Sequence, residues 1–169
     1  MPYDTSSSLW SNTNETFFRD RPITPIKQSG PHCVSTVLAM LSGTQPEQFQ
    51  GKVNTQDPAS WSEALKAYGI KLAYCPSDLR KLRFYLLDLE SLDDLFTVSY
   101  YIPEEPESIF QDPDPETGWV CSSHIVILQG RDIIDPARGV RVPAVSHRAM
   151  DLYTKRIFRV LPAAHARGL

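Results

Sequence analysis

The chain has 169 residues, of which 41% are hydrophobic and 10% aromatic, and this is enough apolar material for one folded domain. Its 17 basic and 20 acidic side chains leave a net charge of -3, with no basic run and no stripe of alternating aromatic and basic residues. The composition therefore excludes an intrinsically disordered chain and argues against a nucleic-acid partner.

The location of the protein is predicted from its N-terminus, hydropathy and cysteines. The N-terminus lacks a positively charged start followed by an apolar run, and no window approaches the roughly 20 apolar residues of a membrane span. Cys33, Cys75 and Cys121 are an odd number of cysteines, which disfavours a disulfide framework. We expect a cytoplasmic protein without a membrane span, with unconventional secretion as an effector as the alternative; the oligomeric state is not predicted.

Residues 1–25 are rich in Ser, Thr, Asn and Pro and show no sustained periodicity, so we expect an irregular N-terminal arm. Residues 26–169 are predicted to form a single domain. Its first helix begins at Cys33, because apolar residues follow at the spacing of one helical face, and it ends near Gly43. This places Cys33 at a helix N-terminus.

Two further helices are predicted in the first half of the chain. The second follows Pro58, with Ser60 and Glu63 spaced as a capping box. The third is expected to start from an N-cap at Ser77 or Asp78 and to continue with leucines at helical spacing. The first half is therefore mainly helical.

Strands dominate the second half. β-branched and aromatic runs predict strands at residues 70–74, 96–102, 123–128, 131–135 and 155–161. The acidic and proline-rich residues 104–116 are expected to form a surface loop. Helices followed by a mostly antiparallel sheet indicate the α+β class.

The hairpin of residues 123–135 brings a histidine and an aspartate onto one face. If Gln129 and Gly130 form a two-residue turn, His124 lies directly opposite Asp135, with Cβ atoms about 5 Å apart. A four-residue turn places Asp135 opposite Val126 and leaves His124 as its diagonal neighbour on the same face. Only a slip by one residue would separate the two side chains.

These residues together provide the parts of a thiol nucleophile. The unpaired N–H groups of the first helical turn stabilise a thiolate at Cys33, and His124 is predicted to act as its base, held by Asp135. The backbone N–H of Cys33 and the side-chain amide of Gln28 are predicted to donate to the substrate oxyanion. The catalytic candidates are thus Cys33, His124, Asp135 and Gln28.

Two segments carry a resemblance to a known family. QSGPHCVSTVLAML resembles the glutamine-to-cysteine segment of papain-fold peptidases, and HIVILQGRDIIDPARG is similar to the histidine strand and Asp-Pro-Ala-x-Gly segment of the peptidase C39-like family. The resemblance spans about residues 26–140. It implies a papain-like fold and thiol chemistry without a cofactor. The same four residues would then have the same roles, in a free-standing cysteine peptidase acting on peptide or protein substrates.

Several alternatives stay open at this point. The same thioester intermediate can serve an acyltransferase, a transglutaminase or a deamidase, and a silent thiol would leave a binding module on the same fold. A zinc site is a further alternative, since Cys121 and His124 are spaced as ligands and His32 with Cys33 would complete the set.

Overall fold

A six-stranded sheet organises the molecule. The structure is a computed structural model, and it describes residue 10, residues 15–102 and residues 123–169. In the described residues the strands are β1 (Ile70–Cys75), β2 (Leu95–Tyr101), β3 (Ser123–Gln129), β4 (Asp132–Asp135), β5 (Val140–Pro143) and β6 (Thr154–Pro162). Their order in the sheet is β1-β6-β2-β3-β4-β5, and each neighbouring pair is antiparallel.

Three α-helices accompany this sheet in the described part of the chain: α1 (Cys33–Ser42), α2 (Pro58–Lys66) and α3 (Leu82–Leu92). Short 3-10 helices lie at Pro46–Gln48, Ala144–Ser146 and Arg148–Asp151. The α+β class is therefore confirmed. None of the helices in the described ranges has the length and apolar character needed to cross a bilayer.

Side chains alternate across the sheet and divide the core into two clusters. Phe96 and Val98 of β2 pack in a cluster with α3, which contributes Tyr85 and Leu89. Leu95, next to Phe96 on β2, faces the other way and joins a second cluster with α1 and α2. Because both faces of the sheet are covered, β2 and β3 are apolar over most of their length.

The helix boundaries correct two predicted caps. Asp57, not Ser60, caps α2: its carboxylate accepts the Ala59 N–H, and Pro58 occupies the first helical position, where a missing N–H costs nothing. The third helix begins at Leu82, so neither Ser77 nor Asp78 is its N-cap. The preceding residue, Lys81, has an extended backbone and forms an antiparallel β-bridge with Tyr153, so the helix cannot begin earlier in the chain.

The β3–β4 hairpin adopts the second of the two predicted registers. Gln129 pairs with Asp132, so the two turn residues are Gly130 and Arg131. Direct pairing of His124 with Asp135 would have required the turn to be formed by Gln129 and Gly130 instead. Gly130 has φ +59° at the first central position, as a type II′ turn demands, whereas the predicted turn would have placed Gln129 there. Asp135 therefore lies diagonally from His124, on the same face.

The N-terminal residues that the structure describes are bound to the sheet. The carboxylate of Asp94, fully buried at the start of β2, accepts the N–H groups of Phe17 and Phe18 at 3.1 and 2.7 Å. It also accepts two hydrogen bonds from the buried guanidinium of Arg159 on β6, at 2.9 and 2.6 Å. Arg159 in turn donates to the Glu15 carbonyl at 2.7 Å and lies against the Trp10 ring, 5.0 Å from its centroid.

Replacing Asp94 should be much more costly than replacing its neighbour. Asp94→Asn leaves the Arg159 charge buried and unpaired, so we expect a loss of about 3 to 5 kcal/mol in the free energy of unfolding, measured by urea denaturation. Asp93→Asn is the matched control, because Asp93 meets Arg19 only at the exposed surface and asparagine tolerates its φ of +48°. Equal stability of the two variants would show that the buried pair does not hold the N-terminal residues.

Candidate active site

Cys33 is the first residue of α1 and is half-buried. The residue before it, His32, makes no side-chain cap, and its carbonyl accepts the Thr36 N–H at 3.1 Å, which is the first hydrogen bond of the helix. The N–H groups of the first turn have no acceptor within the helix and carry the positive end of its dipole. Negative charge on the Cys33 sulfur, or on an oxygen bonded beside it, is therefore favoured.

His124 and Asp135 lie at the same end of the sheet, because antiparallel β3 begins where β4 finishes. The Nε2 atom of His124 is 2.8 Å from Oδ1 of Asp135. Because an ionised carboxylate can only accept, Nε2 carries the hydrogen and donates it. This leaves Nδ1 as the ring nitrogen available to Cys33, which lines the same small cleft and interacts with the imidazole.

The protonation of His124 is set by two opposing effects. Burial by itself lowers the pKa of the imidazole, but hydrogen bonds with Asp135 and Cys33, together with their negative charges, raise it to about 9. The imidazolium form of His124 is therefore favoured at neutral pH. A cysteine nucleophile requires such a proton donor for its leaving group.

Asp135 is held on its other side by a second histidine. Nε2 of His147 is 2.8 Å from Oδ2 of Asp135, and Nδ1 of His147 accepts the Ala149 N–H at 3.0 Å. That accepted bond fixes the tautomer, so His147 donates through Nε2. The Ala137 N–H donates to Oδ1 at 2.9 Å, which gives the carboxylate three donors in all when His124 is counted.

These donors decide the charge of Asp135. Its side chain is only 8% exposed, and burial by itself raises the pKa of a carboxyl group. The hydrogen bonds from His124, His147 and Ala137 outweigh burial and hold the pKa of Asp135 well below its usual range. Tyr100 packs edge-on against both imidazoles, with ring centroids 5.7 Å from His124 and 6.1 Å from His147, and so restricts their tilt.

Gln28 lies beside this arrangement but outside the cleft lining. Its backbone N–H donates to the Pro136 carbonyl at 2.7 Å, which ties its loop to the turn that follows Asp135. One hydrogen of its side-chain amide goes to the Gly30 carbonyl at 2.8 Å, and its Oε1 atom is buried without a partner among the described residues. The second amide hydrogen remains for a substrate oxygen, so the role of Gln28 as an oxyanion donor stays a prediction.

The cleft around Cys33 and His124 is narrow, with a volume of about 30 Å³. Besides these two residues it is lined by Val34, Thr55, Gln56, Trp61, Ser99, Ser123, Ile125, Lys155 and Arg156. Cys121, on which the zinc alternative depended, and the acidic segment of residues 104–116 lie outside the described residues. Within the described ranges, no group of three or more His, Cys, Asp or Glu side chains is arranged to hold a metal ion.

Comparisons with models of known protein families, with curated proteins and with solved structures found no match for this chain. The assignment of a function therefore depends on the geometry of the residues themselves.

His147, Lys155 and Arg156 were not found by sequence reasoning. His147 follows the short strand β5, which was also missed, and it lies between two short 3-10 helices with no periodic pattern around it. Lys155 and Arg156 open the last strand, where charged residues are usually solvated. The only available signal was residue type, because their roles come from neighbours far away in the sequence.

Removal of the Asp135 charge should lower the pKa of His124. In Asp135→Asn the imidazolium loses its strongest partner while it remains buried, so we expect His124 to titrate well below the value of about 9 in the parent protein. The measurement is an NMR titration of the histidine Cε1–H signals. Asp132→Asn on the same strand is the control, because that carboxylate pairs with Arg141 at the surface. An unchanged His124 titration in Asp135→Asn would contradict the geometry.

The loss of His147 should make the protein more sensitive to acid. A depressed carboxyl pKa stabilises the fold above the unfolded-state value, 3.8, and this stabilisation is lost as the pH falls through the folded-state value. His147→Ala removes one donor and raises the folded-state pKa of Asp135, so unfolding should begin at a higher pH than in the parent protein. The matched variant His147→Gln, which can keep an N–H donor, should lie between the two. The readout is circular dichroism against pH, and coincident curves for all three proteins would exclude this role.

Proposed function

We propose that the chain is a cysteine hydrolase of papain-like fold, similar to the peptidase C39-like family, and that it cleaves an amide bond in a peptide or protein. One observation carries the proposal: His124 bonds the Asp135 carboxylate through Nε2, which leaves Nδ1 available, and it interacts with the Cys33 thiol that lines the same cleft.

The arrangement of elements supports the papain-like part of the proposal. The nucleophile begins a helix that packs on an antiparallel sheet, and the base and its partner come from adjacent strands, β3 and β4. A hydrogen bond from the Gln28 N–H to the Pro136 carbonyl joins the segment that contains Gln28 to the turn after Asp135. All four residues of the resemblance thus belong to one end of the sheet.

In the first half-reaction, the Cys33 thiolate attacks the carbonyl carbon, a carbon–sulfur bond forms and the carbonyl electrons move to oxygen. The Cys33 N–H at the start of α1 is placed to donate to this oxyanion, and Gln28 is a second candidate donor. The His124 imidazolium gives its proton to the leaving nitrogen, the carbon–nitrogen bond breaks, and a thioester remains on Cys33.

In the second half-reaction, water replaces the amine. Neutral His124 takes a proton from the water as the oxygen attacks the thioester, and the collapse of the intermediate releases a carboxylic acid and the Cys33 thiolate. Asp135 stays ionised throughout, because its three donors and depressed pKa make it an orienter of His124 and not a proton carrier.

The test is cleavage of a proteome-derived peptide mixture at neutral pH, with new termini identified by mass spectrometry. We expect cleavage by the parent protein, none by Cys33→Ala, and a rate at least about 100-fold lower for His124→Ala. Cys75→Ala is the matched control and should remain active, because Cys75 is buried in the core and burial raises its thiol pKa to about 12.

Acid quenching of the same reactions adds a second readout, the intact mass of the protein. A hydroxylamine-sensitive acyl group on Cys33 is expected during turnover. Equal cleavage by the parent protein and Cys33→Ala would reject the proposal. A parent protein that forms neither products nor an acyl adduct would also reject it and favour a binding module.

A further inference from the structure

Two cations line the cleft beside the nucleophile, and both come from the first residues of β6. Lys155 and Arg156 are consecutive, and consecutive side chains of a regular strand point to opposite faces. The pairing of β6 with β2 is irregular at this point: Ser99 pairs with Arg156, but Tyr100 pairs with Thr154. Lys155 is therefore the extra residue of a β-bulge, which allows both side chains to reach the same cleft.

Neither cation is neutralised by a carboxylate within the described residues. Lys155 is half-buried, its Nζ atom lies 3.4 Å from the Ser123 hydroxyl, and its ammonium is 5.7 Å from the centroid of the Tyr101 ring. No ion pair within the described ranges involves Arg156. Burial, and after it the neighbouring Arg156 charge, lowers the pKa of Lys155.

The rest of the described cleft offers no negative side chain. Apart from Cys33, its other polar residues are the neutral Thr55, Gln56, Ser99 and Ser123 together with His124, whose imidazolium form is favoured. Two like charges held together at the surface of a narrow cleft repel each other, and an anion between them relieves this repulsion. The bulge thus brings two cations to the cleft that Cys33 lines.

We propose that Lys155 and Arg156 select substrates that carry a carboxylate close to the bond attacked by Cys33. This inference rests on the proposed function and specifies its substrate class. The carboxylate can belong to an acidic side chain or to the C-terminus of a peptide, and both present the same chemistry to an ammonium and a guanidinium.

The first test does not require turnover. Iodoacetate and iodoacetamide alkylate a thiolate by the same step, in which a carbon–sulfur bond forms and iodide leaves with the carbon–iodine electrons, but only iodoacetate carries a carboxylate. The ratio of their rates at Cys33, followed by mass spectrometry of the labelled peptide, measures the preference for an anion. We expect Lys155→Gln and Arg156→Gln each to lower this ratio about fivefold, the effect of one charge a few ångströms away in a water-like dielectric.

Arg83→Gln is the matched control. It removes the same charge from α3, where Arg83 pairs with Asp151 at the exposed surface, and it should leave the ratio unchanged. The ratio in the parent protein should also fall as salt is added, because screening weakens the attraction. The same ratio in the parent protein, Lys155→Gln and Arg156→Gln would overturn the proposal.

A protection experiment separates the two sources of the carboxylate. Three blocked tripeptides are compared as protectors of Cys33 against iodoacetamide: one with a glutamate side chain and an amidated end, one with a free C-terminus only, and one fully neutral. Preferential protection by the first indicates an acidic side chain, and by the second a C-terminus. Equal protection by all three would contradict the inference.

The experiments distinguish a failure of the anion site from a failure of the hydrolase activity. A charge-dependent alkylation ratio without cleavage in the peptide mixture would reject the hydrolase and keep the anion site. Cleavage that depends on Cys33, with products that show no carboxylate near the bond and a ratio insensitive to Lys155 and Arg156, would keep the hydrolase and reject the anion site.

Discussion

The buried carboxylate of Asp135 is the constraint on which the arrangement of the site depends. A charge in this position is tolerated only if donors replace its hydration, and the donors come from three separate parts of the chain: β3, the turn after β4 and the 3-10 segment after β5. Satisfying one carboxylate therefore fixes the relative positions of His124 and His147. The turn that donates the Ala137 N–H also accepts the Gln28 N–H through Pro136, so the loop before the nucleophile is positioned against the same point.

A second buried charge pair lies elsewhere in the fold and has a different consequence. Asp94 and Arg159 join β2, β6 and the residues around Phe17, and both side chains are fully buried. This pair stabilises the sheet that carries the candidate site residues. Cys33 and His124 themselves line a cleft in which the described residues leave the cations of β6 without a carboxylate partner. The proposed function makes this division expected, because a site for a charged substrate needs charges that the fold has not already paired.

Much of the fold was predictable because periodicity is a local property. Helix α1, its glycine end and the principal strands follow from apolar spacing, and the common face of His124 and Asp135 was predicted in both possible registers, of which the second is observed. The two registers differ by two residues, which is one full period of a strand, so the face was preserved. The cap of α2 was mistaken because Asp57 and Ser60 both have suitable side chains, and that of α3 because backbone pairing at Lys81 delays the start of the helix beyond both candidate caps.

The amino-acid sequence was sufficient for the α+β class, for a cysteine at the start of a helix and for a histidine and an aspartate on one strand face. Each of these depends on residues close together along the chain. The second histidine on Asp135, the bulge at Lys155 and the meeting of β6 with Cys33 follow only from the folded molecule. They depend on hydrogen bonding and burial between segments far apart in sequence, and a local sequence pattern does not predict which buried groups will be in contact.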